Sequence, residues 1–116
     1  MDNMYKVTNG TGECVNSTAE NTTILTAVTG KTFRILTGVI TVTLAATGGG
    51  GKVALEDGAG GTRFLEANAD ALKSIPFDFR PLGYPLTAAT ALNMTVDEAV
   101  TNEATCTCTV TAYELG

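Results

Sequence analysis

Residues 32–46 read "TFRILTGVITVTLAA", and the pattern in this stretch decides the fold. Ile40, Val42 and Leu44 alternate with Thr41 and Thr43, a period of two that puts apolar and hydroxyl side chains on opposite faces of a strand. Upstream, Phe33, Ile35 and Val39 hold the opposite parity, so the phase slips across Gly38-Val39-Ile40. A β-bulge at Gly38 accomplishes such a slip. The alternative is a single strand with two buried faces, as where a domain also packs against its own copies. The sequence leaves both open.

The rest of the chain agrees with this strand. Its 116 residues are one domain's length, enough to bury a small core without staples. Threonine occurs 21 times, and Thr, Val and Ile branch at Cβ, which suits a pleated surface better than a helix. Only 16% of residues are charged, and 13 glycines punctuate the chain, the profile of an all-β domain with many turns.

Outward from residues 32–46, "TTILTAV" (22–28) reads as a short strand and "TGK" (29–31) as a hairpin turn. "GGGG" (48–51) is a loop, and "KVALE" (52–56) and "TRFLEA" (62–67) are strands joined by the tight turn "DGAGG" (57–61). "NADAL" (68–72) is a loop with room for one helical turn. "KSIPFDFRPLGYPL" (73–86) carries all three prolines and is expected as an edge strand with irregular corners. Leu92, Met94 and Val96 mark another strand, "TNEA" turns, and "TCTCTVTAYEL" (105–115) closes the sheet. About eight short strands at this spacing predict a sandwich or barrel. Residues 1–21 are polar and show no lasting period. They are expected as an extended N-terminal arm outside a domain of residues 22–116, ordered only against something else, such as a neighbouring subunit.

Charge and composition narrow the function. The net charge is −5, and the seven basic residues Lys6, Lys31, Arg34, Lys52, Arg63, Lys73 and Arg80 stand singly, so no basic stripe exists for nucleic acid. No run of about 18 apolar residues forms a membrane helix. "MDNMYKVTNG" lacks the apolar centre of a secretory signal, and three cysteines are an odd number for a disulfide framework. The protein is therefore expected to be made in a reducing cytoplasm, with the sequons at Asn9, Asn16, Asn21 and Asn93 accidents of a Thr-rich composition.

Cys106 and Cys108 sit two apart on one strand face with Ala104, Val110 and Ala112, all small and apolar, which reads as core; contact with Cys14 is the second reading. A zinc site needs four ligands and the chain has no histidine, so no metal is expected. "TGKT" (29–32) ends like a phosphate loop, but Leu25 stands where that motif needs glycine. The carboxylate pairs Glu56-Asp57 and Asp97-Glu98 lie beside turns and read as solvated rather than catalytic. No calcium-loop pattern occurs. The reading is a non-enzyme without a cofactor. What remains is a cluster of larger groups at Phe77, Phe79, Arg80, Leu82, Tyr84 and Leu86, read either as packing around proline corners or as a partner contact, since Tyr and Arg anchor interfaces.

The segments Thr29–Leu36 ("TGKTFRIL"), Pro76–Tyr84 ("PFDFRPLGY") and Ala91–Val96 ("ALNMTV") carry a resemblance. In this order the chain resembles small β-sandwich virion proteins of tailed bacteriophages, used as capsid decoration (cement) proteins or head-fibre modules. The likeness covers roughly residues 22–115 and rests on short structural motifs. Tyr84 stands where the family has tryptophan, and Arg80 is extra before the proline. The resemblance implies a jelly-roll-like antiparallel β-sandwich, a homotrimer seated on the major capsid protein lattice at the capsid exterior. Under that reading the expected contacts are Tyr5, Lys6 and Val7 of the arm, together with Phe79, Arg80 and Tyr84. The alternative is a head-fibre or tail-associated module recognising a host-surface glycan or protein, with Tyr5, Tyr84 and Tyr113 as aromatic platforms.

Overall fold

A computed structural model describes residues 5–16, 18–44, 51–69, 72–97 and 104–116. Residues 1–4, 17, 45–50, 70–71 and 98–103 lie outside the described residues, and with them most of the expected glycine loop, part of the expected loop at 68–72, Glu98 and most of the expected turn "TNEA". Among the described residues nine strands follow in order: β1 (Tyr5–Val15), β2 (Glu20–Leu25), β3 (Thr32–Leu44), β4 (Lys52–Asp57), β5 (Arg63–Asn68), β6 (Lys73–Asp78), β7 (Tyr84–Pro85), β8 (Leu92–Val96) and β9 (Ala104–Leu115).

Two antiparallel sheets result, one ordered β1-β9-β3-β6 with β7 also on β3, the other β2-β8-β4-β5. With β6 and β7 taken as one strand broken by a loop, eight strands remain. Their alternation between the sheets is the double Greek key of a jelly roll. The core between the sheets includes Ile35, Ile40 and Val42 from β3, Val53 and Leu55 from β4, and Leu92, Met94 and Val96 from β8, each at most 1% exposed. On β9, Ala104, Cys106, Cys108, Val110 and Ala112 all face inward and are buried.

The phase slip in β3 is a bulge, but not at the glycine. The register with β9 shifts between Ile35 and Thr37, so Leu36 is the extra residue. Phe33 and Ile35 before it, and Ile40 and Val42 after it, then share the core face. The turn at 28–31 closes through Lys31 N–H to the Val28 carbonyl (3.0 Å). It carries the chain from one sheet to the other, because β2 pairs with β8 and β3 with β9, β6 and β7; it is not a hairpin turn. The expected edge strand with corners is found as β6, which ends one sheet, breaks at Phe79–Gly83 and resumes as β7. The strand at 105–115 lies inside its sheet, between β1 and β3, rather than at a closing edge.

The N-terminal segment differs most from its reading. Tyr5–Val15 pairs with Leu115–Thr105 of the same chain over eleven residues. Asn16, fully buried, then extends the ladder: its N–H donates to the Ala104 carbonyl (3.0 Å), and its side-chain oxygen accepts the Ala104 N–H. The apolar period is missing because the inner face of β1 carries Gly10, Gly12 and Cys14. A Cβ at Gly10 would stand 2.2 Å from the Ile24 carbonyl oxygen, so β2 crosses too closely for a side chain. Backbone pairing, not side-chain burial, places this strand.

The carboxylates beside the β4–β5 turn are also not simply solvated. Glu56 is 5% exposed, and its Oε1 accepts from Asn93 Nδ2 (2.8 Å) and the Gly60 N–H (3.3 Å). Asp57 accepts from the Thr87 hydroxyl (2.7 Å) and N–H (3.0 Å), tying down the 86–91 loop. In that loop Ala89 has φ 55°, a left-handed conformation, while its N–H donates to the Lys31 carbonyl (2.7 Å). Relief of a left-handed alanine is worth about 1–2 kcal/mol, and the added freedom of the unfolded chain costs about 0.4–1 kcal/mol. Ala89→Gly is thus expected to stabilise by roughly 0.5 kcal/mol, read as a higher urea midpoint at unchanged m; a lower midpoint would contradict this.

Candidate partner-binding surface

The two segments expected to meet a partner, residues 5–7 and 79–84, lie far apart in sequence and at the same end of one sheet. Val7 pairs with Tyr113, Tyr113 with Arg34, and Arg34 with Pro85, a continuous row across β1, β9, β3 and β7. Alternation points this row away from the core. Val7 is 57% exposed. Tyr5 starts β1 opposite Leu115, and Lys6 pairs its ammonium with Glu114 (3.2 Å).

The loop between β6 and β7 closes the row. Phe79 N–H donates to the Leu36 carbonyl (2.7 Å) and Gly83 N–H to the Phe79 carbonyl (2.8 Å), with a cis Arg80–Pro81 peptide between them. Arg80 binds Asp78 three times, through its backbone N–H (2.9 Å), Nε (3.0 Å) and Nη2 (2.8 Å). These bonds hold the Asp78 carboxyl down at about 2, so the pair stays ionic in ordinary buffers. Arg34 Nη1 donates to the Leu82 carbonyl (3.4 Å).

Below the loop, Tyr84 stacks on Phe64 (centroids 4.2 Å apart, 13° between planes), and Phe79 meets both rings at about 6 Å. Phe79 and Tyr84 therefore support the loop from inside rather than offering their faces outward, since Tyr84 pairs with the core-facing Ile35. The group presented instead is Leu82, 77% exposed at the loop tip. Leu82 of the proline-corner cluster and Tyr113 of the expected aromatic platforms are thus joined with Arg34 in one surface, a grouping the sequence reading did not make. The Pro81-Leu82-Gly83 triplet marks a tight apex, but only the tethers show that its leucine points to solvent.

Elsewhere on the outer face, two rows of hydroxyls run across the sheet. Asn9, Thr111 and Thr37 form one, with Thr111 Oγ1 donating to Asn9 Oδ1 (2.8 Å), and Thr11 and Thr109 begin the next. Between them lies a shallow, uncharged groove of about 390 Å³ over the backbone of Gly10, Val110 and Gly38. The thiols of Cys14 and Cys106 stand opposite each other in register and are pushed up to about 11 by burial; burial alone takes Cys108 to about 12. Protonated and enclosed, they are poor nucleophiles and poor ligands. Among the described residues no group of three Cys, Asp or Glu is placed to hold a metal, and no described helix is long and apolar enough to cross a membrane.

The jelly roll has a solved counterpart. A chain in the capsid asymmetric unit of cyanophage Pam1 superposes with a TM-score of 0.60 at 20% identity, covering 94% of this chain and 84% of that one. A chain in the structure of infectious bursal disease virus Gx strain aligns over 97% of this chain but 33% of its own length, at 12% identity and a TM-score of 0.43, too low to argue from. No protein-family model and no curated protein matches the sequence. At these identities the likeness is one of fold.

Proposed function

We propose that this chain is a structural, non-enzymatic virion protein that decorates the capsid exterior, binding the major capsid protein as a homotrimer. The observation that carries this reading is the jelly roll shared, over 94% of this chain, with a chain from a phage capsid asymmetric unit. The partner-binding end supports it, because Tyr113 and Arg34 are residue types that anchor interfaces and the exposed Val7 and Leu82 add apolar area beside them. The enclosed thiols and the structurally used Glu56 and Asp57 fit a scaffold rather than a reaction centre. Many copies on a lattice add avidity to a modest single contact.

The test has two arms. Light scattering of the purified protein is expected to give three times the 11.9 kDa chain mass. Capsid shells assembled without the protein are expected to take it up on co-sedimentation. A monomer in solution that still binds shells moves trimer assembly onto the shell, and absence of shell binding ends the decoration reading.

A head-fibre or tail-associated module is the second reading, favoured by the uncharged hydroxyl groove over Gly10 and Gly38. Neutral polyols suit such a lining, and binding on a glycan array, weakened by Thr109→Val, would select it over decoration.

A further inference from the structure

We infer that Leu82 is the anchor of the shell contact, and that it enters an apolar socket on the capsid protein whose rim carries a carboxylate opposite Arg34. The inference rests on the decoration reading and goes beyond it by assigning the contact to one loop and one partner chemistry.

Three observations lead to it. Leu82 is 77% exposed, yet the loop that displays it is held at both ends by main-chain bonds, with the Arg80–Asp78 fork adding to the hold at its start. A loop already fixed in place loses little freedom on binding, so the apolar area it buries is retained as affinity. The aromatic pair of Phe64 and Tyr84 backs the loop from within, which keeps the tip from folding back onto the sandwich.

The second observation is charge. Arg34 donates to the Leu82 carbonyl and, like Lys31 and Lys52, is in no ion pair among the described residues, whereas Lys6, Arg63 and Arg80 each have a carboxylate. A cation is thus left beside the apolar tip in a chain of net charge −5. A partner surface complementary to this end is apolar at its centre and acidic at the Arg34 side. Third, Val7 and Pro85 share the Arg34 row and extend the apolar rim, so the surface is larger than one side chain.

Leu72 supplies an internal control. It is 74% exposed, just before β6 begins, whereas the Leu82 loop follows the other end of β6. Removing either leucine deletes similar apolar area, but only one belongs to the proposed contact.

The experiment is co-sedimentation of the full-length protein with capsid shells assembled without it, using wild type, Leu82→Ser, Leu72→Ser and Arg34→Glu, with light scattering on each. Leu82→Ser is expected to weaken shell binding by more than about tenfold, the loss expected when the burial of a whole leucine side chain is removed. Leu72→Ser should bind as wild type does. Arg34→Glu should bind more weakly, and wild-type binding should weaken as salt rises. Equal binding by Leu82→Ser and wild type overturns the anchor while leaving decoration intact. A Leu82→Ser protein that changes its solution mass places Leu82 between copies of this chain and overturns the socket. Failure of wild type to bind shells overturns decoration and this inference together. Unchanged thermal melting of Leu82→Ser, expected for so exposed a side chain, excludes misfolding as the cause of a loss.

Discussion

Between pH 9 and pH 12 the folded protein is expected to lose stability steeply and to unfold before the top of that range. The three thiols set this behaviour. A thiol ionises near 9 when free, whereas burial raises Cys14 and Cys106 to about 11 and Cys108 to about 12 in the folded chain. Below pH 9 both states keep their thiol protons, so these groups add no pH dependence. Above pH 9 the unfolded chain releases protons that the folded chain retains, and each rise in pH favours unfolding. The slope approaches about 1.4 kcal/mol per pH unit for each thiol, until the pH passes that thiol's folded value. Three thiols acting together over one or two pH units remove a large part of a total stability of about 5–15 kcal/mol. Ionising Cys106 is further opposed by Cys14, its partner across the β1–β9 ladder. Urea midpoints at pH 8, 9.5, 10.5 and 11.5 measure the effect. A Cys14→Ala/Cys106→Ala/Cys108→Ala chain is expected to begin from a lower midpoint and to decline less with pH. A wild-type midpoint that stays level to pH 11 would show that the thiols are not enclosed as described.

Gly38→Val is expected to cost about 3 kcal/mol or more, at the upper end of what overpacking produces. Gly38 lies in β3 between Val110 of β9 and Phe77 of β6. A Cβ there would stand 2.4 Å from the Thr109 carbonyl oxygen and 2.5 Å from the Phe77 ring. The ring belongs to the core, and the carbonyl belongs to a strand bonded on both sides, so neither gives way cheaply. Gly30→Ala is the contrasting case. Nothing lies within 4 Å of its added carbon, but its φ of +77° makes alanine pay only the left-handed penalty of about 1–2 kcal/mol. Chemical denaturation of both variants separates the two causes. Equal losses would mean that Phe77 and β9 yield, and that the close approach at Gly38 is not a constraint.

The parts of the fold legible in the sequence were those written as side-chain alternation. Ile40 and Val42 against Thr41 and Thr43, and Cys106, Cys108, Val110 and Ala112 against the intervening threonines, lie on the faces that period two assigns them. The proline-rich stretch marked an edge strand for the same local reason, since a proline has no N–H for a ladder. Residues 5–15 gave no such signal. Their inner face is reduced to glycine and a cysteine by the approach of β2, and a strand held by backbone bonds alone leaves no apolar period to read. Glu56 reads as a solvated turn residue because Asn93, which donates to it, and Arg63, whose Nε lies 4.0 Å from its Oε2, come from other strands.

Taken alone, the sequence determined that this protein is built of strands and that its cysteines belong to a core, because alternation and side-chain size are properties of neighbouring residues. The tertiary structure decided that the N-terminal segment is a strand of the jelly roll, that the bulge falls at Leu36, and that Val7, Tyr113, Arg34 and Leu82 meet at one end. Those outcomes depend on which strands pair and in what register, and pairing joins residues as far apart as Tyr5 and Leu115.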